Sequence, residues 1–185
     1  MLHLLTERKQ TITLYAALFF ILLGGVIAVN GIFAFPQKSE KAAVEEFPQP
    51  KGHINDFGQL LTNEEKRLLS DIAAEFEKRT TNQLAVVTVE TLSPYESIEP
   101  YATKLFNTWG IGQKDKNNGV LLLITVKERK VRIEVGLGLE KALPNDKCKE
   151  ILQTEVTPRL KERAFYEAVR QGMQSIIKEL DKQSN

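Results

Sequence analysis

The side chains of this chain that could do chemistry are carboxylates and amides placed near glycine-bearing turns. They are Asp56, Asp115, Asn117, Asn118, Glu134, Glu140 and Asp146. Oxygen ligands without nitrogen or sulfur suit hard cations such as Ca²⁺ and Mg²⁺. Within this set we expect Asp56, Asn118 and Glu140 to be the leading metal ligands, with Glu134 and Asp146 as further candidates. The residue types therefore favour a divalent-cation site over other kinds of chemistry.

Several other classes of site are excluded by composition and spacing. With two histidines and one cysteine, the chain cannot build an ordinary Cys/His zinc site. The sequence has no G-x-S-x-G elbow and no Walker-type phosphate loop, and the G-x-G at Gly136 and Gly138 lacks a third glycine. EF-hand spacing from Asp115 would require a glutamate where Val126 stands. A formal net charge of +1 gives no reason to expect nucleic acid as a partner. We therefore expect neither nucleotide nor nucleic-acid binding.

Four of the five candidate ligands also have a purely structural interpretation. Asp56 in the run INDF can cap a turn through its side chain, and Asn118 before Gly119 suits a left-handed turn. Glu134 shares a strand face with Arg132, which predicts a side-by-side ionic contact. Glu140 could equally be a turn or helix-start residue. Both interpretations stay open at this level.

The elements that must position these side chains follow from hydrophobic periodicity. Thr62 and Glu65 form a capping-box pattern that predicts a helix through Arg79. The remaining segments are a buried strand from Leu84 to Val89, a helix from Ile98 that ends at Gly110, a strand over Val120–Val126, a tight turn over Lys127–Lys130, a strand over Val131–Val135, a helix capped by Asn145 that Pro158 ends or kinks, and a last helix from Phe165 to Leu180.

The order of these elements predicts the fold. A strand, a helix and a strand in succession favour a right-handed parallel unit, and the tight turn makes the next strand antiparallel. The sequence thus predicts an α/β protein, a three-layer α/β/α sandwich with a mixed sheet. The run Leu105–Glu140 holds two glycine-bearing loops at element ends. Ligands of α/β sheets usually bind at such ends, so we expect the site there.

The N-terminal part has the composition of a membrane segment. No charged residue occurs from Thr11 to Pro36. The predicted span over residues 12–35 would form about 36 Å of helix, which exceeds a hydrocarbon core of about 30 Å. A cleaved signal peptide is the alternative, but no A-x-A site follows the apolar run. We expect a single-pass anchor, a tail over 1–11, a linker over 36–52, and a domain over 53–182 on the extracytoplasmic side.

Several ordered motifs resemble the TPM domain family, which includes thylakoid-lumen, photosystem II repair and acetylcholine-receptor-modulator types. The motifs are INDF at Ile54–Phe57, QLAVVTV at Gln83–Val89, WGIG at Trp109–Gly112, NNGVLLL at Asn117–Leu123 and RIEVGLGLE at Arg132–Glu140. The resemblance, to a bacterial-type membrane-anchored member, implies the layered α/β/α fold. It also implies cation binding at the end of the sheet, as in some members, and the acid phosphatase activity or photosystem II repair associated with plant members.

The chain departs from the family pattern at a few positions. Leu137 stands where an aromatic residue is common, and Arg163 and Ala164 stand where a glycine and an acid often precede the last helix. These departures weaken the expectation of phosphatase activity more than that of the fold. The leading hypothesis is a membrane-tethered binding or accessory module in the assembly or maintenance of membrane proteins, with a protein partner in the membrane or envelope and Ca²⁺ or Mg²⁺ as its candidate ligand. The alternative is a metal-dependent, acid phosphatase-like hydrolase.

Overall fold

The structure, a computed structural model, describes residues 47–182 of the 185-residue chain. The predicted tail over 1–11 and the predicted membrane span over 12–35 lie outside the described residues. Within residues 47–182, no helix is long and apolar enough to cross a membrane.

The described part of the chain alternates strands and helices before it ends in a helical region. The elements are β1 (Ile54–Asp56), α1 (Asn63–Thr80), β2 (Gln83–Val89), α2 (Ile98–Trp109), β3 (Gly119–Thr125), β4 (Val131–Val135), α3 (Asn145–Ile151), a π-helical turn (Leu152–Val156), α4 (Thr157–Lys161) and α5 (Phe165–Asp181).

The four strands form one mixed sheet in the order β1-β2-β3-β4. Strands β1, β2 and β3 run parallel, and β4 runs antiparallel to β3, with Val120 opposite Val135. The predicted α/β class and mixed sheet are therefore confirmed. Strand β1 is an addition to the predicted elements. It has three residues, too few to show a period of two, so its identity comes from pairing with β2.

Alternate residues of the central strands enter two separate cores, one on each face of the sheet. Val86 and Leu122 pack with residues of α1 and α5, such as Phe76 and Met173. The neighbouring Val87 and Leu123 pack on the opposite face with α2 residues that include Leu105. Helices thus cover both faces, and the strands are apolar throughout because both sides are buried.

Local capping signals in the sequence have the predicted partners. The Glu65 backbone N–H donates to Thr62 Oγ1 at 3.2 Å, and the Thr62 backbone N–H donates to Glu65 Oε2 at 2.7 Å. Helix α2 ends at Gly110, whose φ of +61° is readily adopted by glycine. The bounds of α1 and α2 are therefore set by their own sequence.

The helical region around Pro158 differs in detail from the prediction. Asn145 is the first helical residue of α3 and Pro144 is its cap, so the predicted cap is displaced by one residue. The helical conformation does not end at Pro158. After α3 the backbone widens into the π-helical turn and then continues as α4, with Pro158 in its first turn. Proline has no N–H to donate and its ring conflicts with a carbonyl one turn back, and the wider turn accommodates both constraints.

The segment before β1 packs onto the domain. The Phe47 side chain is 5% exposed, and its ring centroid lies 5.2 Å from that of Tyr101 and 6.3 Å from that of Tyr95. The Lys51 backbone N–H donates to Asn55 Oδ1 at 2.6 Å. Phe47, which falls in the predicted linker over 36–52, is therefore part of the same core as α2.

Candidate functional site

Asp56 lies at the carboxyl end of β1, where its side chain holds the following turn. Asp56 Oδ1 accepts from the Leu60 backbone N–H at 3.0 Å, and Oδ2 accepts from that of Leu61 at 2.9 Å. The Thr88 hydroxyl also donates to Asp56 Oδ1. These contacts correspond to the turn-capping interpretation of Asp56.

Asn118 is a buried cross-link between two loops. Its side chain is 4% exposed, its Oδ1 accepts from the Gln113 backbone N–H at 2.8 Å, and its Nδ2 donates to the Thr81 carbonyl at 2.7 Å. Asn117, rather than Asn118, has the positive φ, at +50°. The amide of Asn118 therefore joins the loop before β3 to the residue that follows α1.

Asp56 and Asn118 lie at opposite ends of the sheet. Asp56 pairs with Thr88 near the carboxyl end of β2, whereas Asn118 precedes Gly119, which pairs with Gln83 at the amino end. At about 3.3 Å per residue, the five positions from Gln83 to Thr88 separate them by about 17 Å. A Ca²⁺ ion binds oxygens at about 2.3–2.6 Å, so one ion cannot reach both side chains.

The other three predicted ligands are also placed apart from a common centre. Glu134 accepts from Arg132 Nε at 2.7 Å, the predicted side-by-side ionic contact, and from Thr103 Oγ1 at 2.9 Å. Glu140 is exposed after β4, and the Asp146 side chain is 96% exposed in the first turn of α3. Among residues 47–182, no group of three His, Cys, Asp or Glu side chains is positioned to hold one metal ion.

The two glycine-bearing loops meet at the amino edge of the sheet, opposite to the carboxyl ends at which ligands of α/β sheets usually bind. The first loop precedes β3, and the second follows β4, which is antiparallel. A Cβ on Gly119 would lie well inside contact distance of the Ile111 carbonyl oxygen, and one on Gly138 would do the same to that of Lys116. These glycines are needed for close packing of backbone against backbone.

Beside these loops the amino edge carries a cavity of about 230 Å³, which we name the amino-edge pocket. It lies where the chain enters β1 and β2 and leaves α2, and its walls come from these three places and from α1. The residues that define it are Pro50, His53, Glu77, Gln83, Trp109 and Ile111.

A chain of hydrogen bonds runs through the pocket and ends on the WGIG motif. His53 Nε2 lies 2.7 Å from Glu77 Oε2, and Gln83 Nε2 donates to Glu77 Oε1 at 2.8 Å. The Gly112 backbone N–H donates to Gln83 Oε1 at 2.7 Å. The segment before β1, helix α1, strand β2 and the glycine loop are thus joined by three successive contacts.

The carboxylate of Glu77 is favoured over its protonated form. Partial burial raises the pKa of Glu77, but the hydrogen bonds from His53 and Gln83 and the charge of His53 outweigh it, so the pKa lies below its usual range. The Glu77 and His53 side chains are 33% and 27% exposed, which leaves both within reach of solvent. The pocket therefore holds an ionised carboxylate, paired with His53, beside the half-buried indole of Trp109.

No pattern in the sequence marks the pocket residues as a site. His53 is one of two histidines, Glu77 is one of many charged helix residues, and Trp109 belongs to an apolar helix stripe. The WGIG motif is the one signal in the sequence, because Trp109, Gly110 and Ile111 line the pocket. A larger groove of about 500 Å³ lies between α1 and α5, but Arg79 and Asp181 pair across it at 2.7 Å and no motif residue lines it.

Solved structures of other proteins are similar to the fold of this domain. The N-terminal domain of a P. gingivalis protein, solved by NMR, has a TM-score of 0.65 and 27% identity and covers 70% of this chain and 82% of its own. The BA42 protein of Bizionia argentinensis has a TM-score of 0.58 and 20% identity, with 76% and 86% covered. The N-terminal domain of the cg2496 protein of Corynebacterium glutamicum has a TM-score of 0.53 and 12% identity, with 72% and 83% covered.

No curated protein matches the chain. The TPM domain matches residues 54–179, which span every described strand and helix except the last residues of α5. All of the motifs that frame the amino edge lie within that match. The chain therefore belongs to the TPM domain family.

Proposed function

We propose that the chain is a membrane-tethered TPM domain that binds other proteins at its amino edge, as an accessory module in the assembly or maintenance of membrane proteins. The observation that carries this proposal is the amino-edge pocket. The family's own WGIG motif forms part of its wall, and a charged carboxylate and an indole lie open in it. Pockets with an apolar lining and a few oriented polar groups are the usual form of binding sites.

Binding is favoured over hydrolysis by the chemistry of the residues at hand. Among the described residues that line the pocket, none is a serine, threonine or cysteine that could act as a nucleophile. Burial raises the pKa of the Cys148 thiol to about 11, so the reactive thiolate is scarce at neutral pH. Asp56, a candidate for the phosphatase alternative, is engaged by two backbone N–H groups. The hydrolase alternative therefore has less support than a binding role.

Glu140 and Asp146 are the proposed candidate ligands of Ca²⁺ or Mg²⁺. Both side chains are exposed, whereas those of Asp56, Asn118 and Glu134 make the internal hydrogen bonds described above. Single exposed carboxylates supply few of the six to eight oxygens that Ca²⁺ takes, so water would fill the rest and binding would be weak. Calorimetric titration of the wild type and of Glu140→Gln tests this, and tight binding that survives the substitution would contradict it.

The proposed tether is the apolar segment over residues 12–35, with the domain on the extracytoplasmic side. Protease shaving of intact spheroplasts tests the orientation. We expect the domain to be digested before the membrane is broken. A domain that resists until lysis would contradict the proposed side.

Site-specific photo-crosslinking in native membranes tests the binding role. A benzoylphenylalanine placed at Thr108, exposed and next to Trp109, should yield a discrete adduct with a membrane or envelope protein. The matched control is the same residue at Lys161, exposed on α4 away from the pocket. Adducts that are equal at both positions, or absent from Thr108, would refute docking at the amino edge.

A further inference from the structure

We propose that the amino-edge pocket binds a basic side chain, lysine or arginine, presented by a partner protein. This inference rests on the proposed function, since it names the chemistry that the partner brings to the pocket. It follows from the charge, the aromatic surface and the size of the cavity.

The charge of the lining favours a cation. Among the described residues that line the pocket, Glu77 is the acid, His53 is its hydrogen-bond partner, and neither lysine nor arginine occurs. The lowered pKa of Glu77 keeps its carboxylate ionised at neutral pH. Its oxygens each accept one hydrogen bond within the protein, from Gln83 and at His53, and a carboxylate has about four acceptor positions. An ammonium or guanidinium group can therefore pair with the remaining acceptor positions of Glu77 without displacing either contact.

The aromatic surface favours the same ligand. An indole is the aromatic group that attracts cations most strongly through its face. Trp109 lines the cavity together with Pro50 and Ile111, so the aliphatic part of a lysine or arginine has apolar surface to pack on. The arrangement pairs a carboxylate for the charged end with an apolar wall for the stem.

The size of the cavity limits the ligand to one side chain. Pockets for drug-sized ligands usually have volumes of roughly 300–1,000 Å³. At about 230 Å³, the amino-edge pocket is smaller than that range and fits one long side chain. The basic residue would thus be an anchor within a larger protein contact.

The protein provides its own reporter for this site, because Trp109 is the single tryptophan of the chain. Tryptophan emission of the full-length chain is followed during titration with the peptide acetyl-Gly-Lys-Gly-amide, and then with its arginine analogue. We expect a saturable change with both peptides in the millimolar range. The norleucine analogue, which keeps the stem and lacks the charge, and the glutamate analogue should give no saturable change. Equal binding of norleucine, or no saturation by either basic peptide, would overturn the proposal.

Substitutions on α1 test whether Glu77 is responsible for binding of the lysine peptide. Glu77→Gln should weaken lysine-peptide binding about fivefold, the size expected for a partly exposed ion pair. The matched control is Glu75→Gln, the same charge change at an exposed position on the same helix, which should leave binding unchanged. Circular dichroism and thermal unfolding establish that both variants are folded. Equal weakening by both substitutions would contradict a specific role of Glu77.

Collisional quenching of the unmodified protein keeps the proposal testable if Glu77→Gln fails to fold. Caesium ions should quench Trp109 more than iodide ions do, after correction for their efficiencies on free tryptophan, because Glu77 attracts the cation. A preference for iodide would overturn the proposal.

If the Thr108 crosslinks form and the basic peptides do not bind, the pocket docks a partner of other chemistry. If neither the Thr108 crosslinks nor binding of the basic peptides is observed, the proposed function is contradicted as well.

Discussion

The substitution Asn118→Asp separates a structural role of Asn118 from a metal-binding role. In the wild type, Asn118 Nδ2 donates to the Thr81 carbonyl at 2.7 Å, and Oδ1 accepts from the Gln113 backbone N–H at 2.8 Å. Aspartate keeps the Oδ1 acceptor, but it replaces the Nδ2 donor with a second oxygen, which faces the carbonyl oxygen of Thr81. A structural role therefore predicts a less stable protein, whereas a metal-binding role predicts a better ligand.

The magnitude follows from the burial and the contacts of this side chain. Loss of the Thr81 hydrogen bond costs about 1 kcal/mol, and the unpaired carbonyl that remains costs about 1–2 kcal/mol more. At 4% exposure, the new carboxyl is desolvated, which the remaining Gln113 contact offsets only in part. We expect a total destabilisation of about 3 kcal/mol, which corresponds to a fall in Tm of about 8–12 °C for a domain of this size.

Thermal unfolding of the full-length chain, followed by circular dichroism with and without Ca²⁺, measures this effect. Asn107→Asp is the matched control, because Asn107 is exposed on α2 and the same change there should cost less than about 1 kcal/mol. The reasoning fails if Asn118→Asp melts at the wild-type temperature. It also fails if Ca²⁺ stabilises the variant more than the wild type, since a ligand that binds the native state raises its stability.

Three further predictions concern other parts of the domain. Gly138→Ala should destabilise by about 3 kcal/mol or more because its Cβ would collide with backbone, whereas Gly110→Ala, in open space at φ +61°, should cost about 1 kcal/mol in urea unfolding. The folded-state pKa of Glu77 is below the unfolded value, so its contribution to stability is complete above about pH 4.3 and is lost as the pH falls through the folded pKa. As the pH is lowered into the acid range, the free energy of unfolding of Glu77→Gln should therefore fall less than that of the wild type, as measured by unfolding curves. The Cys148 thiol, with its pKa raised to about 11, should react with a disulfide reagent at neutral pH only after unfolding, and labelling of the native protein at the unfolded rate would contradict its burial.

Much of the fold was predictable because its signals are local. The capping pair Thr62 and Glu65 marks the start of α1, and Gly110 marks the end of α2. Alternation in β4 placed Ile133 in one core and Glu134 on the other face. Strand β1 was not predictable in this way, because its three residues are a strand only through pairing with β2, and that partner is distant in sequence.

The candidate site was less predictable because it depends on which loops share an edge of the sheet. The antiparallel turn before β4 brings Glu140 back to the edge that holds Asn118. Asp56 is the last residue of a strand that the sequence did not reveal, so its position at the opposite edge could not be derived. The amino-edge pocket draws residues from four separated parts of the chain, and no spacing rule connects His53, Glu77 and Trp109.

The two edge strands limit how this domain can associate with other chains. Strand β1 has only three residues, and β4 carries Arg132 and Glu134 within its five. Short and charged edge strands are poor templates for an added strand, which is how sheet proteins avoid aggregation. Recognition by β-strand addition, a common mode for extended peptides, is therefore disfavoured at both borders of the sheet. A protein partner of the kind proposed would therefore be recognised through side chains and loops.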